Sequence, residues 1–474
     1  MYNGQNNKLN AANKRKLTMK SKQLWLGPLL SVALFFLMRT NDIAYPAAIT
    51  AAITLLTAWW WATEALPIPA TSLIPFAAFP LFGVISHKEA AAGFGSHIIL
   101  LLMGGFIMAK ALEKSGAHEQ FAMLILRKVG SKSNKQLVFA FMLAAALLSM
   151  WVSNTATCLM LMPIALASLA QINNPKMTVP LILSIAYACS IGGIATLIGT
   201  PTNVIFAGIY EQAFGKGFGF LAWLKIGFPI AVLAIPVAWL WLTRNVTGLC
   251  EVTLPPKEAW TVDQKRVVGV FAFIVSLWIF RTEPFGGWTT MIGVDGIGDS
   301  SVALLGAALM FIVRAKDGNG LLDWPSAVKI PWGVLLMFGA GITIAKAFFE
   351  SGLAELIGVS LSGMIGGLPI FLLILLICLL ITFMTELNSN VATATLLIPI
   401  LAAAATATGL APELLMIPAA ISASCAFMLP VATAPNAIAY ATEHVTVKQM
   451  MREGLGLNLI LSVLISTMCF ILIA

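Results

Sequence analysis

Ser153-Asn154-Thr155-Ala156-Thr157, followed by Pro163, recurs as Ser389-Asn390-Val391-Ala392-Thr393, followed by Pro399, at an offset of 236 residues. Ala109-Lys110-Ala111 with Ser115-Gly116 recurs at the same offset as Ala345-Lys346-Ala347 with Ser351-Gly352. Two separate motifs with one spacing mark an internal duplication. A third pair, Thr200-Pro201-Thr202-Asn203 and Thr433-Ala434-Pro435-Asn436, is displaced by 233, which needs only a small deletion in a loop. The two halves of this chain are expected to repeat one architecture.

The residues around these motifs say what kind of architecture it is. Of 474 residues, 59% are hydrophobic and 10% are charged, against about 25% charged in a typical soluble domain. Apolar surface on that scale must face lipid. A spanning helix needs about 20 apolar residues, and windows of that size fall at about 24–38, 44–62, 67–85, 97–112, 177–210, 220–242, 266–280, 301–313, 331–349, 413–441 and 455–473. The first is read as a membrane helix, since no small-residue cleavage site follows it. Two longer apolar stretches, about 136–170 and 370–408, are interrupted at their middles by the Ser-Asn motifs and are read as re-entrant hairpins.

The expected fold is therefore an all-α polytopic membrane protein with about eleven transmembrane helices and two re-entrant hairpins. A cytoplasmic tail (1–23) and an extra first helix (24–43) precede an N-terminal repeat (44–243), a cytoplasmic linker (244–265) that holds Pro255-Pro256, and a C-terminal repeat (266–474). Five spans per repeat, an odd number, make the repeats inverted, as in many secondary transporters. The net charge of +8 sits in loops between spans, which points to a cytoplasmic membrane face rather than to nucleic acid. With the N-terminus inside and the C-terminus outside, the clusters Lys114 to Lys135, Arg244 to Arg266, Arg314 to Lys329 and Lys448 with Arg452 are cytoplasmic. Arg39, Lys88, Lys216 and Arg281 are left outside.

The six cysteines, Cys158, Cys189, Cys250, Cys378, Cys425 and Cys469, lie in or beside apolar stretches without a CxxC pair and read as small packing residues. His118-Glu119 opens like a zinc-protease motif, but position 122 is Ala, so the second histidine is missing. No nucleophile–base pair or metal cluster emerges, so an enzyme is not expected, nor is a cofactor.

The chemistry concentrates at the two interruptions. Ser149, Ser153, Asn154 and Thr155 lie in the first, and Thr385, Asn388, Ser389 and Asn390 in the second. Irregular backbone at membrane depth is tolerated only where it is buried or lines an aqueous cavity. Freed carbonyls and hydroxyls can replace the hydration shell of Na⁺, while helix N-termini can hold an anion. The alternative is that Ser, Thr and Asn only join helices by hydrogen bonds. The duplication, the proline on each descending limb and the lack of acidic residues at the tips favour ion sites. The Thr-Asn pairs break two further spans, because proline removes a backbone donor. Among acidic and basic residues near the spans (Glu64, Glu283, Lys346, Glu350 and Glu386), Glu386 lies nearest a tip and is the first to test. Neither tip holds Arg or Lys, so dipoles, amides and bound cations must supply any positive potential.

These doubled motifs resemble the divalent anion/sodium symporters, the sodium-coupled di- and tricarboxylate carriers of the "I'm not dead yet" type, over nearly the whole chain from about residue 24. The resemblance implies a homodimer, elevator-type alternating access, and Na⁺-coupled symport of C4-dicarboxylates such as succinate, malate and fumarate across the cell membrane. It places a first sodium site on Ser149, Ser153, Asn154 and Gly199, and a second on Thr385, Asn388, Asn390 and Ala432. It places the substrate against Asn154, Thr155, Thr200, Ser389, Asn390, Val391, Thr433 and Pro435. The chain departs from the family pattern at Val391, where Thr is usual, and at Ala434-Pro435, where Pro-Pro is frequent. A sodium-independent exchanger, or a carrier of another divalent anion such as sulfate or citrate, is the alternative.

Overall fold

The computed structural model describes residues 2–473 apart from positions 131, 173, 250, 251, 254, 255, 257, 285, 295 and 366, and describes backbone alone for 2–20 and 361–365. Cys250, Pro255 and Lys257 thus lie outside the described residues, as do the side chains of the basic N-terminal segment. Among the described residues the chain is helical throughout, with only isolated β-bridges. Among the described residues, eight helices are long and apolar enough to cross a membrane.

Helix α1 (Tyr2–Thr40) pairs with α2 (Tyr45–Thr63). The short α3 (Ile68–Thr71), α4 (Leu73–Leu81) and α5 (His87–Phe94) lead into α6 (His97–Ser115) and α7 (Ala117–Val129). Then come α8 (Asn134–Ser149), α9 (Asn154–Leu169), α10 (Thr178–Gly193), α11 (Pro201–Phe214) and α12 (Phe220–Leu242). The second half opens with α13 (Val262–Ile279), α14 (Gly287–Met291), α15 (Asp299–Ile312) and α16 (Trp324–Ala327). It continues with α17 (Trp332–Glu350), α18 (Leu353–Ile365), α19 (Ile370–Leu387), α20 (Asn390–Thr408), α21 (Glu413–Ser424), α22 (Ala434–Ala441) and α23 (Val447–Ile473).

The motif offsets carry over to the elements. Shifting α7 by 236 residues gives the bounds of α18, and Gly116 before α7 corresponds to Gly352 before α18. Both glycines have positive φ, 69° and 74°, the left-handed region that glycine enters without a Cβ clash. In α7 the buried residues His118, Ala122 and Leu126 recur every fourth position, while Glu119, Gln120 and Lys128 lie on other faces. This charge content kept α7 below the hydropathy windows, so the sequence reading missed it as an element.

The expected spans 177–210 and 413–441 each become two helices separated by unwound backbone, at 194–200 and 425–433. The span expected at 67–85 is split into α3 and α4, and α15 has only 14 residues. Residues 2–23 of the expected N-terminal tail are helical and belong to the backbone of α1.

One large buried cluster joins α8, α10, α12, α21 and α23, and a smaller one joins α2, α4, α17 and α18. Large apolar side chains such as Trp25, Leu29 and Phe36 on α1 and Leu376 and Leu380 on α19 are exposed. In a chain of this composition those faces meet lipid hydrocarbon.

Candidate functional site

Each Ser-Asn motif stands where one helix ends and another begins. The first tip, residues 150–153, joins α8 to α9, and Ser153 caps α9 by accepting a hydrogen bond from Ala156 N at 3.1 Å. Ser149 is fully buried and donates to Asn154 Oδ1 at 2.5 Å. Thr196, in the unwound segment after α10, donates its hydroxyl to Met150 O at 2.5 Å. A Cβ on Gly193 would lie 2.8 Å from Asn154 Oδ1 and 3.2 Å from Gly199 O, and one on Gly199 only 2.5 Å from Gly193 O. Hydroxyl, amide and carbonyl oxygens of Ser149, Met150, Asn154, Gly193, Thr196 and Gly199 therefore gather in one small volume. Ser153 and Thr155 lie at its exposed side.

The second tip repeats this plan with different partners. Thr385, the counterpart of Ser149, is fully buried, and its hydroxyl finds no hydrogen-bond partner among the described residues. Asn388 and Ser389 are extended at the turn, and Ser389 makes no side-chain cap. Asn390 Oδ1 accepts from Val391 N at 2.9 Å, so its amide turns onto its own helix where that of Asn154 meets a serine. Ala432 is buried in the opposing unwound segment, its N–H donating to Leu429 O at 3.2 Å.

The unwound segments are held open by one device used twice. Asn203 Nδ2 donates to Gly193 O at 3.1 Å and Thr196 O at 2.8 Å. Asn436 Nδ2 donates to Ala426 O at 3.0 Å and Leu429 O at 3.1 Å. In both cases the partners lie ten and seven residues back, the register of the 233 offset. Proline cannot continue the ladder into α11 or α22, and the asparagine satisfies carbonyls that the break leaves behind. The motif asparagines thus shape the breaks. The sequence showed them only as a repeated polar residue, and nothing in it singled out Gly193 or Thr196.

The halves are also laced across one another. Helix α11 packs on α20 and α22 on α9, so each helix that follows a break rests on the descending limb of the other half. Cys158 Sγ lies 3.8 Å from Pro435 O, and Ser424 Oγ lies 3.3 Å from Thr200 Oγ1 and 2.8 Å from Thr202 Oγ1. Ser424 is a polar partner the sequence reading missed. Four helices begin in this region with hydroxyl residues at their N-caps: Ser153, Thr200, Ser389 and Thr433. The positive ends of their dipoles favour an anion, while the clustered oxygens favour a hard cation. No group of three or more His, Cys, Asp or Glu residues suited to a metal occurs among the described residues.

Residues 58–415 match the citrate transporter family. A sodium-dependent dicarboxylate transporter of Staphylococcus saprophyticus is 36% identical over 475 residues, 95% of this chain and 91% of that protein. One of Staphylococcus aureus is also 36% identical, over 93% of this chain and 89% of that protein. Among solved structures, the Neisseria gonorrhoeae MtrF efflux pump aligns with a TM-score of 0.60 at 15% identity, over 83% of this chain and 84% of that one. The Alcanivorax borkumensis YdaH transporter aligns at 0.57 and 12% identity, over 88% and 98%. These two likenesses concern the fold alone. On the extent of the family and sequence matches, this integral membrane chain belongs to the citrate transporter family and, with it, to the divalent anion/sodium symporters its tips resemble.

Proposed function

We propose that the protein is a secondary carrier, not an enzyme, that couples inward movement of Na⁺ to uptake of a C4-dicarboxylate such as succinate, malate or fumarate. One observation carries this reading: the first tip gathers the oxygens of Ser149, Met150, Asn154, Gly193, Thr196 and Gly199, and its repeat at Thr385–Asn390 holds a buried hydroxyl without a partner, on laced helices and without a Lys or Arg. Na⁺ would sit in each cluster as cargo, with Ser153 and Asn388 adding oxygens. The substrate carboxylates would meet Asn154 and Thr155 at one tip and Ser389, Asn390 and Val391 at the other, flanked by Thr200, Thr433 and Pro435. Bound Na⁺ and the four dipoles supply the positive potential the side chains lack. The partnerless hydroxyl of Thr385 suits a cation ligand, since a buried hydroxyl left unpaired is costly. The sodium-dependent dicarboxylate transport for which the staphylococcal relatives are named supports the same coupling ion and substrate class.

Under this reading the two tips are re-entrant, the repeats are inverted, and α7 and α18 carry the tip-bearing body in an elevator motion within a homodimer. The N-terminus lies in the cytoplasm and the C-terminus outside the cell membrane. One observation favours a different anion, such as citrate or sulfate: Val391 removes a hydroxyl from the second tip and Asn390 is turned onto its own helix. The deciding experiment is radiolabelled succinate uptake into proteoliposomes with an inward Na⁺ gradient, with choline replacing Na⁺ in the control. Uptake that survives in choline would favour a sodium-independent exchanger. Competition by citrate or sulfate, and not by malate, would change the substrate class.

A further inference from the structure

Glu386 is a carboxyl group in the middle of a membrane protein, 3% exposed and without an ion-pair partner among the described residues. Its surroundings explain what it does there. Oε1 accepts from Met428 N at 2.8 Å and from Asn458 Nδ2 at 2.7 Å, and Oε2 accepts from Leu429 N at 2.8 Å. Asn458, on α23, in turn accepts from Phe427 N at 3.2 Å. Three consecutive amides of the unwound segment after α21 are thus satisfied by two side chains, one from α19 and one from α23. The same segment is held from its other side, where Leu429 O accepts from Ala432 N and Asn436 Nδ2. Glu386 follows Thr385 directly, and Ala432 closes the turn that Leu429 opens.

The first repeat makes the same junction with different chemistry. The 236 offset pairs Glu386 with Met150, and the 233 offset pairs Leu429 with Thr196. Thr196 donates its hydroxyl to Met150 O. In both halves the unwound segment donates and the tip accepts, at equivalent positions. The first half uses a side-chain donor on a backbone acceptor, and the second a side-chain acceptor on a backbone donor.

We propose that Glu386 is the positioning residue of the second cation site. It ties the second tip to the break between α21 and α22 and to α23, and so sets the Ala432 carbonyl against Thr385. This rests on the Na⁺-coupled reading given above. Exchanging the second junction for the first is the test. Glu386→Met removes the acceptor, and Glu386→Met with Leu429→Thr rebuilds the first repeat's junction, a hydroxyl aimed at the backbone carbonyl of position 386. Two readouts are taken: the Na⁺ concentration for half-maximal succinate uptake in proteoliposomes, and hydrogen–deuterium exchange of residues 427–432 without Na⁺ or substrate.

Glu386→Met is expected to raise the half-maximal Na⁺ concentration by about tenfold, the effect of losing one charge-assisted contact. Its succinate affinity at saturating Na⁺ should hold within about twofold, and exchange in 427–432 should rise. The double variant should recover most of both. A wild-type Na⁺ dependence in Glu386→Met overturns the proposal, as does a double variant no better than the single one, which would make the charge itself the active property. If Glu386→Met does not insert as a monodisperse protein, Glu386→Gln, which keeps one acceptor and turns an N–H toward the other amide, carries the same readouts. If the unmodified protein transports without Na⁺, the coupling reading fails by itself. Exchange in 427–432 then still decides whether Glu386 holds the segment.

Discussion

Asn154 and Asn390 hold equivalent positions at the starts of α9 and α20, yet one amide oxygen meets Ser149 Oγ and the other meets Val391 N. Each can turn its oxygen to a cation or its NH₂ to a carboxylate. Asn154→Ala and Asn390→Ala should each abolish Na⁺-driven uptake while the protein still inserts. Near-normal uptake by either variant would remove that tip from the mechanism. Val391 has nearly the shape of Thr155 but cannot donate. A hydrogen bond to a charged group contributes about 1.5–3 kcal/mol, so Val391→Thr should tighten succinate binding about tenfold and leave Na⁺ activation unchanged. Paired succinate and Na⁺ titrations of the two versions check this. A shift in Na⁺ dependence alone would move the side chain into the cation site.

At the scale of elements, function depends on helices that stop at the right residue and approach closely. Asn203 and Asn436 each cover two carbonyls at a break, and a buried polar group left unpaired costs about 1–3 kcal/mol. Asn203→Leu and Asn436→Leu should each lower the unfolding temperature in detergent and end transport, the loss being structural at both breaks. A variant with unchanged thermal unfolding would show that water replaces the amide. Helices α8 and α10 meet at Gly192, where an added Cβ would fall 2.3 Å from Ala146 O and 2.4 Å from Ala146 Cα. Backbone atoms cannot yield to that extent without parting the helices. Gly192→Ala should therefore displace α8, carrying Ser149 with it, and raise the Na⁺ requirement measured by uptake. The tip is positioned by this contact as much as by its own hydrogen bonds.

At the scale of the whole molecule, the ionic links lie away from the tips. Lys114, at the end of α6, bonds Asp323, the cap of α16, at 2.5 Å. That contact, with the Ser326 amide, lowers the Asp323 pKa from an ordinary 3.8 to about 2. The sign follows from the depression: the link contributes fully above the ordinary carboxylate range and fades as pH falls through about 2. No titratable side chain belongs to either oxygen cluster. Transport of a fully ionised dicarboxylate should therefore be nearly flat between about pH 6 and pH 8. Uptake at matched Na⁺ across that range checks it, and a steep slope abolished by Glu386→Gln would expose a proton-coupled step. The sequence by itself determined the membrane class, the duplication, the four polar interruptions and the family. Those rest on composition, spacing and residue type, which are local properties of the chain. It also contained α7 and α18: the charged face of α7 averages its window toward neutral, while α18, charged only at Glu355, is too short at 13 residues to fill a spanning window. Only the tertiary structure decided which halves touch: that α11 lies on α20 and α22 on α9, that Thr196 reaches Met150, and that Glu386 reaches Leu429 and Asn458. The physical reason is that the hydrogen bonds of Thr196 and Glu386 satisfy backbone groups freed by a break, and each partner comes from whichever helix packs there, from 42 to 72 residues away in the case of Glu386.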